Sequence, residues 1–190
     1  HTLTWLIYEL CRHPSCMEKL QREVRNYWSN YETPDYKTFQ ELPYMTKCIT
    51  ETLRLWPALA NGTYRELEYE DEVMGLNGEK VILEKGTYCQ IINYTKHRNK
   101  KLWGNDAHIF NPERQFRDSE IWDYKGFGYK HVSSDRYSPF TYAPRHCIGK
   151  NFSQMEMRLI LLYMLRDYQV ELTRDQSVYT NGLSYNGLNT

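Results

Sequence analysis

The segment Ser138-Pro-Phe-Thr-Tyr-Ala-Pro-Arg-His-Cys-Ile-Gly-Lys150 carries one thiol, Cys147, from a proline-stiffened loop to the start of a long helical pattern. A thiol at that position meets the positive end of a helix dipole, which favours the thiolate. Backbone N–H groups just inside the helix can hydrogen-bond the sulfur, and Gly149 leaves room for a flat ligand to come close. An iron-ligating thiolate would be built this way. An isolated cysteine at a helix start is more often a buried structural residue. Here the neighbours Phe140, Arg145 and Gly149 favour the ligand reading, because they surround Cys147 in the pattern F-x-x-x-x-R-x-C-x-G.

That pattern resembles the haem loop of the cytochrome P450 family. The resemblance implies that Cys147 is the axial ligand of haem b iron, that Phe140 shields the sulfur and that Arg145 pairs with a haem propionate. The chain has Ala143 where the family usually has glycine; if that position needs positive φ, alanine costs on the order of 1 kcal/mol.

Further segments carry the same resemblance in the same order. Glu51 and Arg54 lie i,i+3 on one helix face, close enough to pair, and ETLRLWP resembles the family's E-x-x-R helix. Phe110-Asn-Pro-Glu-Arg114 resembles its P-x-R element, which gives Glu51, Arg54 and Arg114 a structural role. Arg65 follows Tyr64 where the family often sets a cation against the second propionate; facing solvent beside Glu66 and Glu68 is its other reading. HRNKKLWGNDAHIFNPER resembles the family's HRD…PER region and makes His97 and Arg98 packing and loop-anchoring residues. The resemblance implies a monooxygenase that inserts one oxygen atom of O₂ into an organic substrate, with electrons from a reductase. A haem-thiolate binding module or an isomerase on the same fold is the alternative. The family's acid-alcohol pair precedes a segment like TLTWLIYEL; Thr2 and Thr4 fall after it and are not catalytic.

The elements that must position these residues follow from periodicity. Leu3, Leu6, Ile7 and Leu10 recur at helical spacing up to His13-Pro14. Ser15 with Glu18 forms a capping-box pattern for a second helix. Residues 31–42 read as a polar connection with a short helix. Leu42-Pro43 opens a third helix through Leu55, with Tyr44, Cys48, Ile49, Thr52 and Leu55 on one side. TYRELEY, KVILEK and TYCQIINYT alternate as strands of a small sheet. Residues 99–137 are irregular, as site-serving segments often are. The last helix spans about 148–166 with a predicted buried stripe of Phe152, Met155, Leu159, Leu162 and Leu165, and a tail of β character follows. The fold class expected is α-rich α+β, with residues 1–190 the C-terminal, haem-binding part of one domain. Its N-terminal half is expected to be absent, the fragment inactive by itself, and an apolar patch left on the first and last helices.

Composition narrows the function classes. Lys+Arg and Asp+Glu both total 24, and no basic stripe with interleaved aromatics occurs, so nucleic acid is not an expected partner. The longest apolar run, Leu159 to Leu165, is far below the roughly twenty residues needed to span a bilayer; an anchor preceding residue 1 stays open. Five cysteines without paired spacing indicate reduced thiols and an intracellular setting. Cys11, His13 and Cys16 suggest zinc only weakly, for want of a fourth ligand.

Overall fold

In a computed structural model, residues 1–75, 77–123, 134–142 and 145–172 are described. Ala143, and the parts of the irregular segment and tail that fall at 124–133 and 173–190, lie outside the described residues.

Helices α1 (Thr2–Arg12), α2 (Pro14–Asn30) and α3 (Pro43–Leu55) are linked by His13 and by a segment containing a 3-10 helix, Tyr36–Glu41. Each of α2 and α3 begins on a proline at its first turn, where the missing N–H costs nothing. Ser15 therefore lies inside α2; His13 is the N-cap, and no side-chain cap bond forms there. The start of α3 is satisfied from a distance. Glu23 of α2 accepts the Tyr44 and Met45 amides at 2.6 and 2.7 Å, which supplies the carboxylate a helix N-terminus favours. The C-terminal part of α3 is buried on all sides, from Cys48 through Leu55, rather than on one face, because α1, α2 and the residues His97, Ala107 and Tyr137 surround it.

The β segment forms two separate two-stranded antiparallel ribbons, not one sheet. β1 (Thr63–Glu66) pairs with β4 (Tyr88–Ile91), and β2 (Asp71–Met74) pairs with β3 (Lys80–Leu83). Gly62, at φ +70, lets the start of β1 lie against β4: a Cβ there would sit 1.6 Å from the Ile91 carbonyl oxygen. The end of the expected last strand is helical instead, since Asn93–Lys96 forms the one-turn helix α4. A second short helix, α5 (Lys100–Trp103), and a 3-10 turn, Asp118–Glu120, punctuate the irregular stretch.

α6 (Lys150–Asp167) packs on α2, and Trp28 Nε1 donates to the Leu162 carbonyl at 3.1 Å. Its buried face is rotated from the predicted stripe: Lys150, Gln154, Met157, Arg158, Leu161, Leu162 and Leu165 face inward, while Phe152 and Leu159 are 66% and 42% exposed. Arg158 accounts for much of the difference. Its guanidinium is fully buried over the Trp122 ring at 4.3 Å and donates to the Gln154 carbonyl, Gln154 Oε1 and Thr46 Oγ1. Large exposed apolar side chains gather on α6; on α1 Leu3, Trp5 and Ile7 are only half-exposed. Residues 168–172 follow α6 without forming a strand.

Candidate functional site

The loop carrying Cys147 is closed by its own backbone. The Cys147 amide donates to the Phe140 carbonyl at 2.9 Å, and Thr141 Oγ1 donates to the Arg145 carbonyl at 2.7 Å. Thr141 has φ +62, the one non-glycine residue in the left-handed region among the described residues. A β-branched side chain is disfavoured there by roughly 1–2 kcal/mol. Cys147 then leads through Gly149, the N-cap, into α6. Its thiol is exposed, Phe140 is half-buried against the core, and Arg145 is exposed.

Gly149 does not need an unusual backbone, with φ −81. What it provides is space: an added Cβ would have the Cys147 Sγ at 3.8 Å as its sole neighbour within 4 Å. Ile148 is fully exposed and Phe152, one turn along the helix, is two-thirds exposed. Cys147 is therefore exposed in a segment that also carries two large exposed apolar side chains.

The loop's start is held from α4. Ser138 donates its amide to His97 Nε2 at 2.9 Å and its hydroxyl to Asn93 Oδ1 at 3.1 Å, and Lys96 Nζ donates to Ser138 Oγ and to Tyr142 Oη. Because His97 Nε2 accepts, the ring is neutral with its proton on Nδ1. Burial first, and then the nearby Lys96 and Arg54 cations, push its pKa down to about 3.

Beneath the loop lies the ion network the motifs suggested. Glu51 and Arg54 are completely buried; Arg54 Nε and Nη2 donate to the two carboxylate oxygens at 2.7 and 2.8 Å. Arg54 also donates to the carbonyls of His97, Ala107 and Ile109, which uses all five of its N–H groups. Arg114 Nε reaches Glu51 Oε1 at 3.2 Å, and its other N–H groups go to Asp106 Oδ1 and the carbonyls of Trp103, Asp106 and Ile109. The two guanidiniums thus tie α3 to residues 97–114, whose first member, His97, caps α4 and accepts the Ser138 amide.

Arg65 stands apart from this arrangement. It is exposed on β1 and donates to its neighbour Tyr64's carbonyl at 2.7 Å, and no described contact joins it to the Cys loop. Arg98, by contrast, is buried over the rings of Tyr94 and Trp56. Among the described residues no group of three or more His, Cys, Asp or Glu side chains is placed to hold a metal ion, the Cys11, His13 and Cys16 set included. His13 instead directs Nδ1 to the Glu9 carbonyl, and Cys11 Sγ to the Val170 carbonyl.

One tie escaped the motifs. Glu120 is buried and accepts from the Arg117 amide, Ser134 Oγ and two N–H groups of Arg136. Burial raises its pKa, but these hydrogen bonds, led by Arg136, hold the carboxyl below its usual range. It joins the residues before position 124 to those after 133. No spacing rule links Glu120 to Arg136; the weak signal was an acidic residue closing a 3-10 turn.

Comparison with known proteins defines the class. The cytochrome P450 family model matches residues 1–183. The chain is 32% identical to cytochrome P450 CYP13A5 of Caenorhabditis elegans over 177 residues, covering 93% of this chain and 31% of that protein. It is 30% identical to cytochrome P450 3A12 of Canis lupus familiaris and to cytochrome P450 3A1 of Rattus norvegicus, covering 93% of this chain and 32% of each relative. The chain therefore spans about a third of the length of these relatives and belongs to the cytochrome P450 family.

The family implies haem, and the residues present fit it. The donor is a soft, exposed thiol suited to iron, the space a Gly149 Cβ would fill lies against that sulfur, and exposed Ile148 and Phe152 follow it in sequence.

Proposed function

We propose that this chain supplies the haem-ligating part of a haem-thiolate monooxygenase, with Cys147 Sγ as the axial ligand of haem b. The observation that carries the reading is the exposed thiol next to the open face of Gly149, in a loop braced to a buried Glu51–Arg54–Arg114 network. The bound haem would activate O₂ for transfer of one oxygen atom to an organic substrate, with electrons from a reductase partner; thiolate ligation favours O–O cleavage.

The chain's own residues divide the work of holding the group. Cys147 presents the sulfur, and Gly149 keeps the adjacent space clear. Phe140, whose carbonyl is bonded to the Cys147 amide, limits water at the thiolate. Arg145 offers an exposed guanidinium to one propionate; Arg65 would serve the other after leaving the Tyr64 carbonyl. Glu51, Arg54 and Arg114 keep α3 and the 97–114 stretch in register and touch no reacting atom. In this reading residues 1–190 are the C-terminal part of a single domain, consistent with a chain that spans 31% to 32% of its relatives.

The test is the ferrous carbon-monoxide difference spectrum of the full-length protein. Wild type should show the red-shifted thiolate band and Cys147→Ser should lose it while keeping its helical content. Arg145→Ala should keep the band but retain haem less well, by about 1.5–3 kcal/mol for a lost charge-assisted hydrogen bond. A Cys147→Ser protein that retains the band overturns the assignment.

A further inference from the structure

α4 is a single turn, yet its first residue, its last residue and its C-cap converge on one residue of the Cys loop. Asn93, Lys96 and His97, spaced i, i+3 and i+4, all bond Ser138. Lys96 goes further, since its ammonium also donates to Tyr142 Oη at 3.0 Å. The two hydroxyls that receive it are themselves committed: Ser138 Oγ donates to Asn93 Oδ1, and Tyr142 Oη donates to the Ser134 carbonyl. Each hydroxyl therefore accepts from a cation and donates to a carbonyl oxygen, an order that strengthens both bonds.

Lys96 is half-buried and makes no ion pair among the described residues; both its hydrogen-bond acceptors are hydroxyls. A surface lysine serving solubility would extend into water, and one serving stability by charge would seek a carboxylate. This one spans the loop. Between its two anchor points lie Phe140, whose carbonyl receives the Cys147 amide, and Thr141, held at φ +62 with its hydroxyl on the Arg145 carbonyl. Ser138 and Tyr142 each stand two residues from Phe140, the hydrogen-bond partner of the Cys147 amide.

We propose that Lys96 is a positioning residue for Cys147, clamping the ligand loop through the hydroxyls of Ser138 and Tyr142. The clamp is a property of the chain itself; its consequence for iron ligation rests on the haem-thiolate reading given above.

Two readouts in the full-length protein separate the clamp from that reading. The first is amide hydrogen exchange of Thr141 and Cys147 in the haem-free protein, for wild type, Lys96→Met and Tyr142→Phe. Both variants should exchange these amides faster by roughly tenfold or more, with amides of α2 and α3 unchanged. The second is the ferrous carbon-monoxide spectrum of the loaded protein, in which both variants should move part of the population out of the thiolate band. If Lys96→Met does not fold, Tyr142→Phe, which removes a single hydroxyl, decides the matter alone. Wild-type exchange at Thr141 and Cys147, or equal acceleration of all core amides, overturns the clamp. A wild-type protein lacking the thiolate band overturns the haem-thiolate reading, while the exchange pattern still judges the clamp.

Discussion

Arg114 Nε lies 3.2 Å from Glu51 Oε1 across 63 residues of sequence, inside a network whose other guanidinium, Arg54, is completely buried. Such a network is not strong evidence of net stabilisation, because desolvating the charges offsets much of their attraction. Removing one member is different. Glu51→Gln would leave two cations facing a neutral amide, and Arg114→Met would strip Glu51 of one of its partners. Each should destabilise the full-length protein by about 3–5 kcal/mol, seen as an earlier urea midpoint with an unchanged slope. A loss below 1 kcal/mol for both would mean that the network is dispensable.

Glu23 is expected to act as a cap for a helix that has none of its own. Its two carboxylate oxygens take the Tyr44 and Met45 amides, while Leu42 at the N-cap offers no acceptor side chain. Burial raises the Glu23 pKa, which the two amides and the Arg158 and Lys47 charges oppose. Glu23→Ala should cost about 1–2 kcal/mol, in the range of a lost N-cap. Glu23→Gln keeps one acceptor and should cost less. Urea unfolding of both variants checks the order.

His97 gives the fold an acid limit. The unfolded chain takes up a proton near the ordinary value of 6.5, while the folded chain refuses it until about 3, because the ring is buried beside Lys96, Arg54 and Arg98. The unfolded state therefore binds more protons between those values, and stability rises with pH across that window. The contribution is complete above 6.5 and is lost as pH falls. His97→Gln can keep an acceptor for the Ser138 amide without the titration. Urea midpoints from pH 7 down to pH 5 should fall less steeply for His97→Gln than for wild type; parallel curves would remove His97 as the cause.

Much of the frame was legible because it rests on local rules. The i,i+3 spacing of Glu51 and Arg54 predicted a shared face, and the prolines at 14, 43 and 57 marked helix limits that the structure keeps within a residue or two. Periodicity gives no signal where partners are distant, and a false one where polar residues are buried. On α6, Lys150, Gln154 and Arg158 look like a solvated stripe in sequence, yet they face inward, with Arg158 over the Trp122 ring. The cap from Glu23 to the Tyr44 amide and the Glu120–Arg136 tie join groups 21 and 16 residues apart and leave no periodic trace. Thr141 has a positive φ although its β-branched side chain carries no sequence signal of a left-handed backbone, while Ala143 lies outside the described residues.

That φ of +62 can be measured as an energy. Thr141→Ala and Thr141→Gly both delete the hydroxyl that donates to the Arg145 carbonyl, so both lose the same hydrogen bond, about 0.5–1.5 kcal/mol. They differ in backbone preference. At an ordinary position alanine is the more stable of the two by about 0.4–1 kcal/mol, because glycine gives the unfolded chain more freedom. At a left-handed position the order reverses, since alanine retains a Cβ clash of roughly 1–2 kcal/mol that glycine lacks. The expectation is that Thr141→Gly unfolds later than Thr141→Ala in urea, with Cys147 amide exchange slower in the glycine variant. If alanine proves the more stable, the loop does not hold position 141 in the left-handed region, and the strain assigned to it disappears.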